Sequence, residues 1–317
     1  MITEAELKNQ LPYNLEKTDF PALGNKYQGK VRDVYSRGDR MVLITTDRVS
    51  AFDRVLATIP FKGQVLNQLA VFWFEKTKHI VKNHVIDVPD PNIMVGKKVE
   101  IIPIEAVVRG YLAGSAWRDY KDGKQVSGIA LPEGMRMNER FKKPLFTPST
   151  KAKVGHDVHI SKEEILARGI IDKKTMDKIE KTAFALFEYG TQHCAKQGLI
   201  MVDTKYEFGI LDNEFYLADE IHTPDSSRFW YADTYQKLFD AGKDQRMIDK
   251  EYLRQWLIRE RNFIGDGSLP DIPDSIKIEF AKRYIQAFEE ITGQEFKASV
   301  GSIIGRINKN LKERGYL

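Results

Sequence analysis

Met201-Val-Asp-Thr-Lys-Tyr-Glu-Phe-Gly-Ile-Leu-Asp-Asn-Glu-Phe-Tyr-Leu-Ala-Asp-Glu220 carries the pattern from which the rest of the chain can be placed. Side chains alternate along a strand, so Asp203, Lys205 and Glu207 share one face and Val202, Thr204, Tyr206 and Phe208 the other. One face is ionic and the other apolar or aromatic. The turn signal from Gly209 to Asn213 returns the chain through a second apolar run that ends in Asp219-Glu220, which predicts a hairpin ending in acids. A two-residue connection, Asp212-Asn213, would set Glu207 opposite Ala218 and turn Asp219 to the other face. A three-residue connection, Asp212-Asn213-Glu214, sets Glu207 directly opposite Asp219, and this is the register expected of a shared cation site, with Asn213 left-handed at the bulge. Mg²⁺ prefers a few carboxylates plus substrate phosphates, and a lysine among the acids can neutralise phosphate charge during phosphoryl transfer. A solvated face of paired charges has the same alternation. The small-residue loop Thr223-Pro-Asp-Ser-Ser-Arg228 that follows, ending in an arginine, favours the phosphate reading.

The composition is that of an ordinary globular enzyme, 42% hydrophobic and 30% charged over 317 residues, a length that suggests about two domains. Forty-nine basic against 45 acidic residues leave a net charge of +4, too small to argue for nucleic acid or an anionic membrane as a partner. The single cysteine, Cys194, excludes an intrachain disulfide framework and fits a cytoplasmic protein. It falls in the helical spacing Met176, Ile179, Ala183, Leu186, Phe187, Gly190, Cys194, which points to core packing. The N-terminus is polar, unlike a signal peptide, and no apolar run approaches the roughly 20 residues of a membrane span.

The first hundred residues read as short strands around 30–35, 40–46 and 98–103, with a helix near 66–79. Past residue 160 helices dominate: one begins at the capping box Ser161-Lys-Glu-Glu164, a second covers about 173–196, and two more fill 273–291 and 299–314. Gly265-Asp-Gly-Ser-Leu-Pro-Asp-Ile-Pro273 reads as a linker. The expected organisation is α+β: a β-rich lobe over residues 1–104, then a larger body over 105–317 with a helical segment from about 271. A cleft between such lobes is the usual place for a nucleotide.

Four further segments carry chemistry. Gly29-Lys30 precedes an alternating strand, where backbone amides and an ammonium could approach phosphate oxygens; the pair also suits a plain turn, and no Walker or Rossmann fingerprint accompanies it. Thr45-Thr-Asp-Arg-Val-Ser-Ala-Phe-Asp53 offers hydroxyls, acids and an arginine after an apolar strand, and reads equally as a capped loop. Arg109-Gly-Tyr-Leu-Ala-Gly-Ser115 supplies a guanidinium fork and close main-chain approach before a helix, which Ser115 could cap. Phe146-Thr-Pro-Ser-Thr-Lys151 leads to His156, Asp157 and His159, a set that lacks the thiolate or third histidine of a zinc site.

In this order and spacing, GKVRDVY, TTDRVSAFD, FKGQVLNQ, VVRGYLAGSAW, FTPSTKA, GHD, VDTKYEFG and ADEIHTPDSSRFW resemble the SAICAR synthetase family over nearly the whole chain, in its larger, stand-alone form. The resemblance implies an α+β fold related to ATP-grasp and kinase-like lobes. It also implies an ATP-dependent ligase of purine biosynthesis that joins L-aspartate to the carboxylate of carboxyaminoimidazole ribotide (CAIR), giving ADP and phosphate. Carried over residue by residue, Gly29, Lys30 and Arg32 would meet the ATP phosphates, and Ile101 and Glu105 would wall the adenosine. Glu207 and Asp219 would hold Mg²⁺, with Lys205 beside the transferred phosphoryl group. Arg109, Ser115, Ser227 and Arg228 would grip the ribotide phosphate, with Lys151 and Asp157 in the same cleft. The loop bearing Asp47, Ser50 and Asp53 is the candidate for L-aspartate. Asp203 would orient substrate or accept the proton of the aspartate amine, being the acid not assigned to metal. A kinase-like small-molecule phosphotransferase would share most of these parts, but the H-R-D-L-x-x-x-N and D-F-G motifs are absent. A nucleotide- or RNA-binding module lacks support from charge or from an RNP motif.

Overall fold

The computed structural model describes residues 2–52, 54–151, 158–248 and 251–317, the side chains at 251, 252, 254 and 255 excepted. In chain order the elements are α1 (Glu4–Gln10), β1 (Asn25–Gln28), β2 (Arg32–Arg37), β3 (Arg40–Thr45), β4 (Arg48–Ala51), β5 (Arg54–Thr58) and α2 (Lys62–Thr77). Next come β6 (Val85–Asp90), β7 (Ile93–Lys97), β8 (Glu100–Ile101), β9 (Ile104–Tyr111), α3 (Gly114–Lys121), β10 (Arg140–Phe146), β11 (Ser149–Thr150), α4 (Lys162–Ala167) and α5 (Lys173–Lys196). The chain continues through β12 (Leu199–Leu211), β13 (Glu214–Ala218), β14 (Ser227–Tyr231), α6 (Ala232–Asp240), β15 (Met247–Ile248), α7 (Glu251–Arg261), α8 (Asp274–Thr292) and α9 (Ile303–Glu313).

Contacts group the chain into two units, residues 1–74, 84–98 and 249–317 in one, 75–83 and 99–248 in the other. This differs from the two contiguous segments divided at residue 104, because the C-terminal helices pack with the first unit. Along α9 the apolar residues Ile303, Ile307 and Leu311 recur at helical spacing, and all three are buried with Leu15, Tyr35, Val42, Ile44 and Val95. Each is worth about 1.5–3 kcal/mol of burial. Arg306 fixes the helix further by donating to both oxygens of Asp90, at 2.9 and 3.1 Å. The stretch read as a linker joins α7 to α8, and Arg54 of β5 donates to the carbonyls of Gly265 and Gly267.

The first unit is built on an antiparallel sheet in the order β1-β2-β3-β7-β6, beside the separate β4–β5 hairpin. Asp47 lies at the start of that hairpin and is fully buried. Its two oxygens accept the amides of Leu15 and Gly63 at 2.7 and 2.8 Å. The residue expected to contact L-aspartate is therefore a clamp inside the fold. Burial pushes its carboxyl up to about 6 from 3.8, against the pull of the two amides. A raised acid contributes stability that is complete below its unfolded value and is lost as pH climbs through about 6. Between pH 3.8 and about 6, wild-type stability should therefore fall by about 1.4 kcal/mol per pH unit through this group. Asp47→Asn should remove that component, which urea unfolding at several pH values can measure. Equal pH slopes for the two proteins would contradict the burial of a titrating Asp47.

In the second unit the sheet runs β10-β9-β12-β14-β15, with β11 on β9 and both β13 and β8 on β12. Helix α5 packs on β12 and β9. It spans the expected residues, starts with Asp172 accepting the Thr175 amide at 2.7 Å, and buries every apolar position read from its spacing. Cys194 is among them, its thiol pushed up to about 12 by burial, so it is a packing residue. Ser161 likewise caps α4, accepting from the Glu164 amide at 3.0 Å.

Candidate active site

Strand β12 is central, and its alternation sets the site. Register places Asp203 opposite Arg109 of β9 on one side and opposite Arg228 of β14 on the other, so the three lie in a row across the sheet. Asp203 Oδ2 accepts from Arg109 Nη1 at 3.3 Å and from Arg228 Nη1. Arg109 is 5% exposed and also donates to Thr147 Oγ1 at 2.9 Å and Ser115 Oγ at 3.1 Å. Burial drags its guanidinium down, and the Asp203 charge opposes that drag. Three polar partners, Asp203, Thr147 and Ser115, thus hold one cation in a fixed plane, with Arg228 beside it.

The row ends against α3. That helix begins at Gly114, whose φ is +58°. A Cβ there would lie 2.2 Å from two nitrogens of the Arg228 guanidinium, so only glycine lets the arginine lie against the helix start. Two guanidiniums at the N-terminus of a helix form a receptor for a compact anion such as phosphate. Ser115 does not cap α3, because it stands inside the helix after the N-cap residue Ala113, and its hydroxyl serves Arg109 instead. Replacing Gly114 by Ala should raise the KM for a phosphorylated substrate about tenfold or more by displacing Arg228, while its left-handed φ costs about 1–2 kcal/mol of stability. Kinetics paired with thermal melting checks this, and an unchanged KM would show that Arg228 does not touch that substrate.

One step along β12, Lys205 donates to Glu105 at 2.6 Å and to Glu207 at 3.4 Å. Burial works against its charge, but Glu207, Glu105 and Asp219 together hold the ammonium above its ordinary value. Lys151 pairs with Glu207 Oε2, and Ser149 donates to Glu105 Oε2 at 3.2 Å. Glu207 itself is 5% exposed; burial first, then the Asp219 charge, push its carboxyl up, and the two lysines pull it back.

The hairpin corrects the expected register. The connection is the two-residue Asp212-Asn213, both left-handed at φ 51° and 62°, so Leu211 pairs with Glu214 and Glu207 with Ala218. Strict alternation would then send Asp219 to the opposite face. The chain leaves β13 at Ala218, however, and Asp219 is left-handed at φ 64°, which breaks the alternation. Its charge acts on both Glu207 and Lys205. Asp219 thus acts on Glu207 electrostatically from a kinked residue beyond the strand, and not from a paired position within it. Gly209 is likewise not in the turn: it sits within β12, opposite Ile101 of β8, where a Cβ would lie 2.5 Å from Val99 Cγ2.

A profile of the family described as SAICAR synthetase matches residues 25–266. The chain belongs to the SAICAR synthetase family. The phosphoribosylaminoimidazole-succinocarboxamide synthase of Legionella pneumophila (strain Lens) is 46% identical over 310 residues, covering 95% of this chain and 99% of that protein. The same-named protein of Bacteroides thetaiotaomicron is 49% identical over 306 residues, covering 94% and 97%. Among solved structures, SAICAR synthase from Saccharomyces cerevisiae complexed with SAICAR matches with a TM-score of 0.80 at 32% identity, over 90% of this chain and 100% of that one. A type-2 SAICAR synthetase in complex with ADP matches with a TM-score of 0.66 at 28% identity, over 86% and 100%.

This member of the family thus carries Asp203, Lys205, Glu207, Glu105, Arg109, Ser115, Lys151, Asp219 and Arg228 in its second unit. Glu105, expected beside adenosine, points into the lysine cluster, and Ile101 packs with Val99, Tyr216 and Ala218. Ser227 alternates away from its neighbour Arg228 and donates to Thr204 Oγ1 at 2.7 Å, off the arginine face. Gly29, Lys30, Arg32, Asp47 and Ser50 belong to the first unit. Asp53 and Asp157 lie outside the described residues. Sequence reading missed Gly114, Thr147 and Ser149. The last two share period-2 spacing with Lys151, the same signal that picked out Asp203, Lys205 and Glu207. No helix among the described residues is long and apolar enough to cross a membrane.

Proposed function

We infer that the chain is an ATP-dependent ligase that joins L-aspartate to the carboxylate of CAIR, giving SAICAR, ADP and phosphate in purine biosynthesis. The observation that carries this reading is that one strand, β12, bears both the Asp203 anchor of an arginine pair and, two residues on, Lys205 among three carboxylates. The first can seat a ribotide phosphate and the second can stabilise a phosphoryl group in transfer.

Arg109, Arg228, Ser115 and the start of α3 would bind the 5′-phosphate of CAIR. Asp203 accepts from both guanidiniums through Oδ2, which supports the orienting role of the two considered for it: it aligns the arginines. The CAIR carboxylate oxygen attacks the γ-phosphorus of ATP and ADP leaves. The neutral amine of L-aspartate then attacks the acyl carbon, phosphate leaves with that oxygen, and the proton lost by the amine passes to the departing phosphate or to water. Lys205 would face the phosphoryl oxygens as a permanent cation.

Among the described residues no group of three or more His, Cys, Asp or Glu side chains is placed to hold a metal. A divalent cation would therefore take Glu207 and Asp219 and complete its shell with phosphate oxygens and water, as Mg²⁺ commonly does. The donor chemistry fits, since both are carboxylates, the oxygen ligands Mg²⁺ prefers; burial first and the Asp219 charge second push Glu207 up, and a cation would oppose both. Mg²⁺, when bound, supplies further charge neutralisation on the phosphoryl oxygens. In the cell the reaction would be cytoplasmic, and L-aspartate is assigned no contact residues.

ADP release measured with each substrate omitted in turn tests the assignment. It should require both CAIR and L-aspartate and match SAICAR formed one for one. Full ADP release from CAIR and ATP without L-aspartate would identify a kinase instead.

A further inference from the structure

The turn Gly29-Lys30-Val31 between β1 and β2 is held from beneath by Thr46 and Arg48, and the hold has a direction. Arg48 donates from Nη2 to the Gly29 carbonyl and from Nε to the Lys30 carbonyl, both at 3.0 Å. Its Nη1 reaches the Glu16 carbonyl. Thr46 continues the series, its amide and hydroxyl donating to the Val31 carbonyl at 3.0 and 2.8 Å. Three consecutive carbonyls are thus drawn to one side. The guanidinium is 2% exposed and keeps a 2.8 Å ion pair with Asp33, which is itself buried. Asp33 in turn accepts from the amide and hydroxyl of Thr18, at 2.7 and 2.8 Å, so the arginine cannot swing without breaking a buried network.

Among the described residues every peptide bond is trans, and in a trans peptide the N–H points opposite to the C=O. Fixing the carbonyls of Gly29 and Lys30 on Arg48 therefore aims the amides of Lys30 and Val31 the other way. Lys30 is exposed on this turn. Successive amides with one sense are the backbone geometry that cradles an anion.

We propose that Arg48 is a positioning residue for the nucleotide phosphates: it holds the Gly29-Lys30 turn by its carbonyls and so presents the Lys30 and Val31 amides to the phosphates of a nucleoside di- or triphosphate. This rests on the reading that the turn meets those phosphates. It gives Thr46 and Arg48, on either side of the buried Asp47, the support of that turn.

The test is calorimetric binding of ADP, adenosine and SAICAR to full-length Arg48→Lys, which keeps a cation for Asp33 but cannot fork to two carbonyls. ADP should bind about tenfold or more weakly, with adenosine and SAICAR within about twofold, since only phosphate contacts lose alignment. If Arg48→Lys does not fold, the paired exchange Arg48→Gln with Asp33→Asn removes both buried charges and gives the same readout. Unchanged ADP affinity in the folded variant, or equal weakening of all three ligands, overturns the role. Lys30→Ala separates the underlying reading. If it weakens ADP while Arg48→Lys does not, only the positioning role fails; if neither does, the turn does not meet the phosphates at all.

Discussion

Lys205→Met lowers kcat by on the order of 10²–10³, the scale of removing one preorganised charge from a transferring group. The expectation follows from the surroundings of the ammonium. Glu105, Glu207 and Asp219 hold it charged despite its burial, so it is a fixed cation and not an acid or base titrating near neutrality. KM values for CAIR and ATP should move far less than kcat, and Lys205→Arg should recover part of the rate because it restores the charge with a different shape. Steady-state kinetics on all three substrates, alongside SAICAR binding to show that the variant is folded, decides the matter. A kcat within about threefold of wild type would remove Lys205 from the chemistry.

Arg228→Ala raises the KM for CAIR roughly ten- to a hundredfold and leaves the KM for ATP within about threefold, because it deletes a charge-assisted contact worth about 1.5–3 kcal/mol. Arg109→Ala should do the same with an added stability loss, since Arg109 is buried and its removal leaves Thr147 and Ser115 without their donor. Arg228 is the cleaner probe, its side chain being 35% exposed. Equal rises for CAIR and ATP would contradict a ribotide-phosphate site at this row.

The sequence carried more of this site than of its assembly. Alternation alone separated the ionic and apolar faces of β12, because a strand's period is fixed by its backbone. The extent and buried face of α5 were equally legible, since a long helix repeats its signal over many turns. What one strand cannot disclose is its register against another. The alignment of Arg109, Asp203 and Arg228 depends on two neighbouring strands and on an irregularity in the β12–β14 pairing between Met201 and Asp203. The hairpin shows the same limit. A shared cation site favoured the longer loop that pairs Glu207 with Asp219, yet Asp212 and Asn213 both accept left-handed backbone and form the tight two-residue turn. Asp219 then follows β13 in a left-handed kink that no periodicity encodes. Asp47 was misread for a related reason: a loop rich in Thr, Asp and Ser looks exposed, and only tertiary packing shows which carboxylate is enclosed by amides.

If the CAIR carboxylate is activated by taking on the γ-phosphoryl group of ATP, oxygen-18 placed in that carboxylate reports it. The oxygen that attacks phosphorus must leave with the phosphate when the aspartate amine displaces it. One labelled oxygen should therefore appear in inorganic phosphate for each SAICAR formed, with ADP as the nucleotide product. Label in AMP, or phosphate free of label while SAICAR accumulates, would contradict it.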